Sequence, residues 1–362
     1  MVTIHTFLSV AAAKNWELHQ MDVHNAFLHG DLEEKVYIKL PPGFCSESSD
    51  YSLFTLQHAS FQLNVLVYVD DLIVSGNNNA AIQNFKAYLS TCFYMKDLGP
   101  LKYFLGIEVA RNHTGIFLCQ RKYTLDIISE VGLLGAKPVG FPLDQNHHLP
   151  LAKEKPLSNP ECYRRLVGRL IYLSVTRPEL SYSVHFLVQF MQKPVHEHWD
   201  TALRVVRYLK DWAGCPLTRL SLTGWFILLG NSPISWKTKK QHVVSRSFAE
   251  AKYRSMASTT CELKWLKALL LFLGVAHPRP ITLHCDSQAA LHIVANPVFH
   301  ERTKYIDVDC HFVRDTVVQQ LIAPQHVSTR VQLTDIFTKA LGKQQFDFFL
   351  RKLGIYNLHA PT

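Results

Sequence analysis

No Cys-x-x-Cys pair occurs, although the chain has eight cysteines. Cys45, Cys92, Cys119, Cys162, Cys215, Cys261, Cys285 and Cys310 are scattered. The neighbours His284-Cys285 and Cys310-His311 lack zinc-finger spacing. The pattern argues against a zinc module and predicts free thiols in a reducing compartment. The N-terminus lacks the basic-then-apolar layout of a secretory leader, because Lys14 arrives late and polar residues interrupt early. The longest apolar run, 268–276, is far too short to span a bilayer. The expectation is an intracellular protein of cytoplasm or nucleus, with no membrane partner. Charged residues make up 19% and hydrophobic ones 48%, a globular rather than a disordered balance. The 362 residues suffice for two or three domains. A net charge of +9 suits a polyanionic partner and equally a soluble protein that is merely basic.

What the chain does have is a pair of adjacent acids inside an apolar, β-branched stretch. Residues 65–74 read Val-Leu-Val-Tyr-Val-Asp-Asp-Leu-Ile-Val. That is a tight hairpin whose turn presents Asp70 and Asp71. Asp is a common turn residue, so the hairpin alone also fits an ordinary acidic turn. Asp22 changes the weighting. It too follows an apolar-aromatic stretch, and one acid on a strand beside two on a hairpin could hold a pair of divalent cations. Such a clamp serves in-line nucleotidyl transfer.

Tyr68-Val69-Asp70-Asp71, preceded by Met21-Asp22-Val23-His24-Asn25-Ala26-Phe27-Leu28-His29-Gly30, resembles the reverse transcriptase of copia-type (Ty1/copia) retrotransposons. So do residues 96–109, Lys-Asp-Leu-Gly-Pro-Leu-Lys-Tyr-Phe-Leu-Gly-Ile-Glu-Val, and Tyr163-Arg164-Arg165-Leu166-Val167-Gly168. The resemblance runs almost end to end. It implies an α+β palm and thumb or connection, followed by an α/β ribonuclease H-like (RNase H-like) domain. The implied boundaries are palm 1–120, thumb or connection 121–210, RNase H-like domain 211–345 and C-terminal tail 346–362. The implied activity is RNA-directed DNA synthesis, with an RNA template, a DNA primer and a deoxynucleoside triphosphate (dNTP) as partners. Asp22, Asp70 and Asp71 would hold two Mg²⁺ ions, with Mn²⁺ as a substitute. Phe27 would be the gate against a 2′-hydroxyl, although its spacing alone reads as core.

Along the first third, a helix is expected over 3–13, strands over 16–23 and 36–39, a helix over 79–92 and a hairpin around 112–115. Only twenty residues, 45–64, separate Phe44 from Val65. At about 1.5 Å per residue they cannot hold the long helix that covers a palm sheet plus a strand and its connections. The family block expected there is absent, and most of the fingers region would precede Met1. In the middle, helices are expected over 158–191, interrupted at Pro178, and over 198–209. Arg164 and Arg165, with Arg204, Arg207 and Lys210, form basic ridges that could neutralise phosphates or simply face solvent.

The last third reads as strands 222–229, 234–237 and 241–245, a long helix 248–273 opened by the capping box Ser247-Phe248-Ala249-Glu250, then strand 281–285 ending at Asp286. Helices from 287 and over 304–319, strand 323–327 and helix 331–341 carrying Asp335 complete it. The order fits an RNase H-like α/β fold, and its resemblance to the copia-type domain implies hydrolysis of RNA in RNA–DNA hybrids. The implied catalytic acids are Asp211, Glu250, Asp286 and Asp335, the last two as metal ligands. Two departures stand out. Lys210 runs straight into Asp211-Trp212-Ala213-Gly214, as though the first strand and its acid were deleted. The helix motif reads Ala249-Glu250-Ala251-Lys252-Tyr253, with Lys252 where the family has a Glu. Lys252 is expected to set a positive charge against the metal site. These departures favour a degenerate chain that at most binds nucleic acid.

Overall fold

A computed structural model describes the chain except for residues 24–43, 48–49, 113–114, 138, 141, 144–155, 210–221, 242–246, 296–306, 340 and 356–362. The expected strand 36–39 therefore lies outside the described residues, as do nearly all of strand 241–245, the residues Phe27, Lys210 and Asp211, and the loop of the hairpin around 112–115. The chain divides into two compact units. Unit 1 comprises Met1–Cys119, Leu229–Ile234 and Trp265–Pro278, and unit 2 comprises Gln120–Leu228, Ser235–Lys264 and Arg279–Thr362.

Unit 1 is organised by a six-stranded sheet. Helix α1 (Val2–Ala13) is followed by β1 (Glu17–Val23), β2 (Phe44–Glu47), β3 (Asp50–Gln57), β4 (Gln62–Tyr68), β5 (Asp71–Gly76), α2 (Asn79–Cys92) and β6 (Met95–Pro100). The strand order is β2-β3-β4-β5-β1-β6. Strand alternation sends Met21, Leu63, Val65, Leu72 and Val74 to one face, where they bury Ile82 and Leu89 of α2. Cys92, expected on that apolar side, is exposed. Asn78 caps α2 by accepting from the Ala81 amide at 3.0 Å. Phe44–Glu47 forms the edge strand β2, and Asp50–Gln57 forms β3 between β2 and β4. The expected hairpin is part of a three-stranded sheet of β7 (Tyr103–Phe104), β8 (Ile107–Asn112) and β9 (Gly115–Cys119).

Unit 2 has a helical core. It begins with α3 (Arg121–Glu130), α4 (Pro160–Leu173), α5 (Ser181–Val188) and α6 (His196–Tyr208). Asn159 and Pro160 start α4 as a cap and first-turn proline should. Tyr163, Leu166, Leu170 and Leu173, spaced for one helix face, are all buried. Strands β10 (Leu222–Leu229) and β11 (Ser232–Lys240) pair as one two-stranded sheet. Helix α7 (Phe248–Phe272) follows. Its end is a Schellman motif: Gly274, at φ +70°, donates to the Leu271 carbonyl and Val275 to that of Leu270. Strands β12 (Ile281–Cys285) and β13 (Ile322–His326) pair in parallel, joined through α8 (Gln288–Ala295) and α9 (Asp307–Val318). Ser287 caps α8 through the Ala290 amide at 3.2 Å.

One expectation is corrected here. The helix over 331–341 reduces to the short α10 (Asp335–Thr338), after a 3₁₀ turn at Thr329–Val331. Lys339 is already extended, at φ −135° and ψ 153°, so the helix cannot continue through it. The stretch from 346 opens inside α11 (Lys343–Lys352), whose Phe346, Phe349 and Leu350 join the same buried cluster as Tyr208.

Candidate functional site

The first site stands where β1, β4 and β5 meet in unit 1. Strands β4 and β5 form a hairpin closed by Val69 and Asp70, with Tyr68 opposite Asp71. Val69 is a β-branched residue at φ +58°, a costly left-handed conformation of the kind that concentrates at functional turns. Strand β1 runs antiparallel to β5, and its register puts Asp22 opposite Asp71. The Val23 amide donates to the Asp70 carbonyl at 2.9 Å. Asp22 is thus brought to the same end of the sheet as the adjacent pair Asp70 and Asp71, about fifty positions later in the chain.

Gln20 was not picked out from the sequence. It sits two residues before Asp22, on the same face of β1 by alternation, and donates from Nε2 to Asp71 Oδ1 at 3.0 Å. Partial burial pushes the Asp71 carboxyl above its ordinary range. Asp70 and Asp22 push it the same way, against the Gln20 hydrogen bond. That is the signature of negative charge without a sufficient counter-charge, and hard carboxylate oxygens suit Mg²⁺. The donor chemistry fits a divalent cation. As the side chains stand, no group of three or more His, Cys, Asp and Glu among the described residues is placed to hold a metal ion.

The second site lies in unit 2, beside a cavity of about 670 Å³ lined in part by Trp225, Lys252, Ser255, His284, Asp286 and Lys339. Asp286 follows β12 directly and Asp335 opens α10. Both carboxylates are almost wholly buried, each side chain at 2% exposure. Lys252, on the second turn of α7, places Nζ 2.7 Å from Asp286 Oδ1. Lys339 donates to Asp335 Oδ2 at 2.8 Å, an i,i+4 pair that helical spacing could have revealed. Asp335 Oδ1 has no hydrogen-bond partner. Burial raises the Asp335 pKa, Lys339 and Lys252 oppose that rise, and Asp286 adds to it, so Lys252 acts on both acids. Glu250 turns elsewhere: its amide donates to Ser247 Oγ at 3.1 Å, and its carboxylate accepts from Arg254 at 2.8 Å. With an ammonium against Asp286, this donor set does not fit a divalent cation.

The basic ridges are largely engaged within the chain. Arg165 Nε lies 2.8 Å from Glu130, which also pairs with Arg169, and Arg164 pairs with Glu161 while donating to the Met191 carbonyl at 3.0 Å. Arg204 and Arg207 are half-buried on α6. Cys92, Cys119, Cys162, Cys261, Cys285 and Cys310 form no disulfide. Among the described residues no helix is long and apolar enough to cross a membrane.

A mixed α/β unit whose sheet brings one acid on a strand beside two on a hairpin is consistent with a reverse-transcriptase-like fold, and comparison with known proteins bears on its family. The reverse transcriptase (RNA-dependent DNA polymerase) family matches residues 1–64 and 48–145, two segments that overlap over residues 48–64. A retrovirus-related Pol polyprotein from transposon RE2 of Arabidopsis thaliana is 37% identical over 98% of this chain and 28% of its own length. A Pol polyprotein from transposon TNT 1-94 of Nicotiana tabacum is 31% identical over 99% of this chain and 32% of its own length. An uncharacterized mitochondrial protein of Arabidopsis thaliana is 38% identical over 56% of this chain and 94% of its own length. The chain matches Ty1/copia-type retrotransposon Pol and reverse transcriptase proteins at family level, at moderate identity over most of its length. It spans less than a third of the length of the two polyproteins. The RE2 match extends over 415 positions against 362 residues here, so that relative carries internal residues this chain lacks. No solved structure matches the chain. The mixed α/β architecture is consistent with a reverse-transcriptase-like fold, and no RNase H-like sub-domain is established by it.

Proposed function

We propose that this chain is a degenerate copia-type reverse transcriptase and RNase H segment, one that still binds nucleic acid but neither copies RNA nor cuts it. The observation that carries the ancestry is the register of Asp22 against Asp71 with Asp70 in the adjoining turn. In an intact palm these residues would hold two Mg²⁺ ions, which would activate a primer 3′-hydroxyl and stabilise the charge of in-line transfer from a dNTP. Here β2 and β3 occupy the stretch where the covering helix would run, and among the described residues no carboxylates are gathered into a ligand group. The proposed loss of synthesis follows from both. Loss of hydrolysis rests on Lys252, which sets its ammonium on Asp286.

The polymerase half is tested by primer extension with purified protein, Mg²⁺, an RNA template and a DNA primer. The expected incorporation is no greater than that of Asp70→Asn. Mg²⁺-dependent extension that Asp70→Asn abolishes overturns the proposal and restores a working polymerase. Binding rests on the net charge of +9. Affinity for an RNA–DNA hybrid should fall steeply with salt, and a salt-independent affinity contradicts phosphate recognition.

A further inference from the structure

Asp286 and Asp335 present two nearly dehydrated carboxylates, and a pair of this kind cannot stay ionised without positive charge close by. Two ammonium groups supply it. Lys339 serves Asp335 through Oδ2, leaving Asp335 Oδ1 without a hydrogen bond. Lys252 Nζ stands 2.7 Å from Asp286 Oδ1 as an ion pair, without the alignment of a hydrogen bond. Asp286 Oδ1 therefore faces an ammonium rather than a directional donor, Asp335 Oδ1 has no hydrogen bond, and Asp286, Lys252 and Lys339 line a cavity of about 670 Å³. Hard oxygens held this way are what a divalent cation takes, and the ammonium stands in its place.

We propose that Lys252 is a tethered cation that permanently replaces a metal ion at the Asp286–Asp335 pair, and that removing its charge alone turns the pair into a binding site for a hard divalent or trivalent cation. The inference deepens the reading of the hydrolytic half given above, and it concerns binding rather than turnover. A variant can gain the cation and still cut nothing, because Glu250 is directed to Arg254.

The test uses the full chain with Asp22→Asn, Asp70→Asn and Asp71→Asn, so that no signal comes from the palm acids. In that background three proteins are compared: the parent, Lys252→Met, and Lys252→Met with Asp286→Asn. Terbium luminescence sensitised by tryptophan is read, since Trp225 lines the same cavity, and melting is followed with and without millimolar Mn²⁺. Lys252→Met should bind terbium at least about tenfold more tightly than the parent or the double variant, a difference of about 1.4 kcal/mol. Only Lys252→Met should melt lower than the parent without metal and recover with Mn²⁺. The double variant carries neither charge and folds without metal. A parent that binds terbium as tightly as Lys252→Met overturns the proposal. So does a Lys252→Met protein that is folded but does not bind, or one that is unfolded and indifferent to Mn²⁺. None of these results touches primer extension, so the palm reading stands or falls separately.

Discussion

Neutralising Asp71 should make unit 1 more stable. Asp71 faces Asp22 across β1 and β5 and follows Asp70 in the chain. Like charges directly opposite on antiparallel strands cost roughly 0.2–1 kcal/mol. Asp71→Asn removes that repulsion and keeps an oxygen to accept from Gln20 Nε2, although a neutral acceptor makes the weaker bond. The sign is settled by the raised pKa of Asp71: with the Gln20 bond included, the folded chain favours the uncharged carboxyl. The group is half-exposed, so the gain is limited to about 0.3–1 kcal/mol. Hydrogen exchange of peptides from β1, β4 and β5 reads this locally in a chain too large to unfold as one unit. Asp71→Asn should slow exchange roughly two- to fivefold at neutral pH. A folded carboxyl that holds its proton to higher pH than the unfolded one contributes stability that is full below 3.8 and lost as pH rises through the folded value. The advantage of Asn should therefore vanish below 3.8 and level off toward neutrality. Mg²⁺, if the three acids collect it, should protect the wild type more than the variant. Faster exchange in Asp71→Asn at neutral pH, or an advantage that persists in acid, refutes the convergence of charge on which the palm reading depends.

Glu179 is fully buried in unit 2, accepting from Arg177 at 2.6 Å and from the Tyr208 hydroxyl at 3.3 Å. Glu179→Gln leaves a buried guanidinium without its counter-charge and should cost about 3–5 kcal/mol in urea denaturation, against about 1 kcal/mol for Tyr208→Phe. Gly224 on β10 has no room for a side chain: an added Cβ meets Thr338 Cγ2 at 2.5 Å and Phe337 Cβ at 3.3 Å. Gly224→Ala should lower stability by about 1–3 kcal/mol in thermal melts, and adding Thr338→Ser, which removes the clashing methyl, should restore part of it. His5 is buried, and burial first, then the N-terminal charge, lower its pKa to about 4. Its neutral form supports folding, so stability should fall as pH drops from 6.5 through about 4, by roughly 3 kcal/mol, and His5→Gln should flatten that slope in acid titrations followed by circular dichroism.

Period and punctuation made most of the elements legible. Helix α2, the Pro-started α4 and the Gly-ended α7 were readable from spacing, caps and breakers, because local chemistry and packing agree there. Helix α10 was not. Residues 331–341 carry a helical pattern, but Phe337 stacks on Phe226 and its carbonyl accepts from Thr238, tertiary contacts that a local window does not contain. Lys339 leaves the helix to extend, yet its ammonium still returns to Asp335. Arg165 looked like a phosphate contact because a one-dimensional reading sees the arginine and not Glu130, thirty-five positions earlier. The Asp22–Asp71 pairing is equally non-local, but the family resemblance supplied what periodicity could not.

Two sets of acids in this chain differ in what answers their charge. In unit 1, Asp71 accepts from the amide of Gln20, and its proton affinity remains raised by burial first and by its two acidic neighbours after that. At Asp286 and Asp335 two lysines answer two carboxylates. The first set retains an unmet demand for positive charge, whereas the second has met it covalently. A ribonuclease needs that demand unmet until a mobile cation arrives with substrate, because only a metal both binds the phosphate and activates water. An ammonium satisfies the carboxylates and supplies neither function. Likeness to a family can reach both sets of acids, but a metal is still called for only where their charge has not already been answered by lysine.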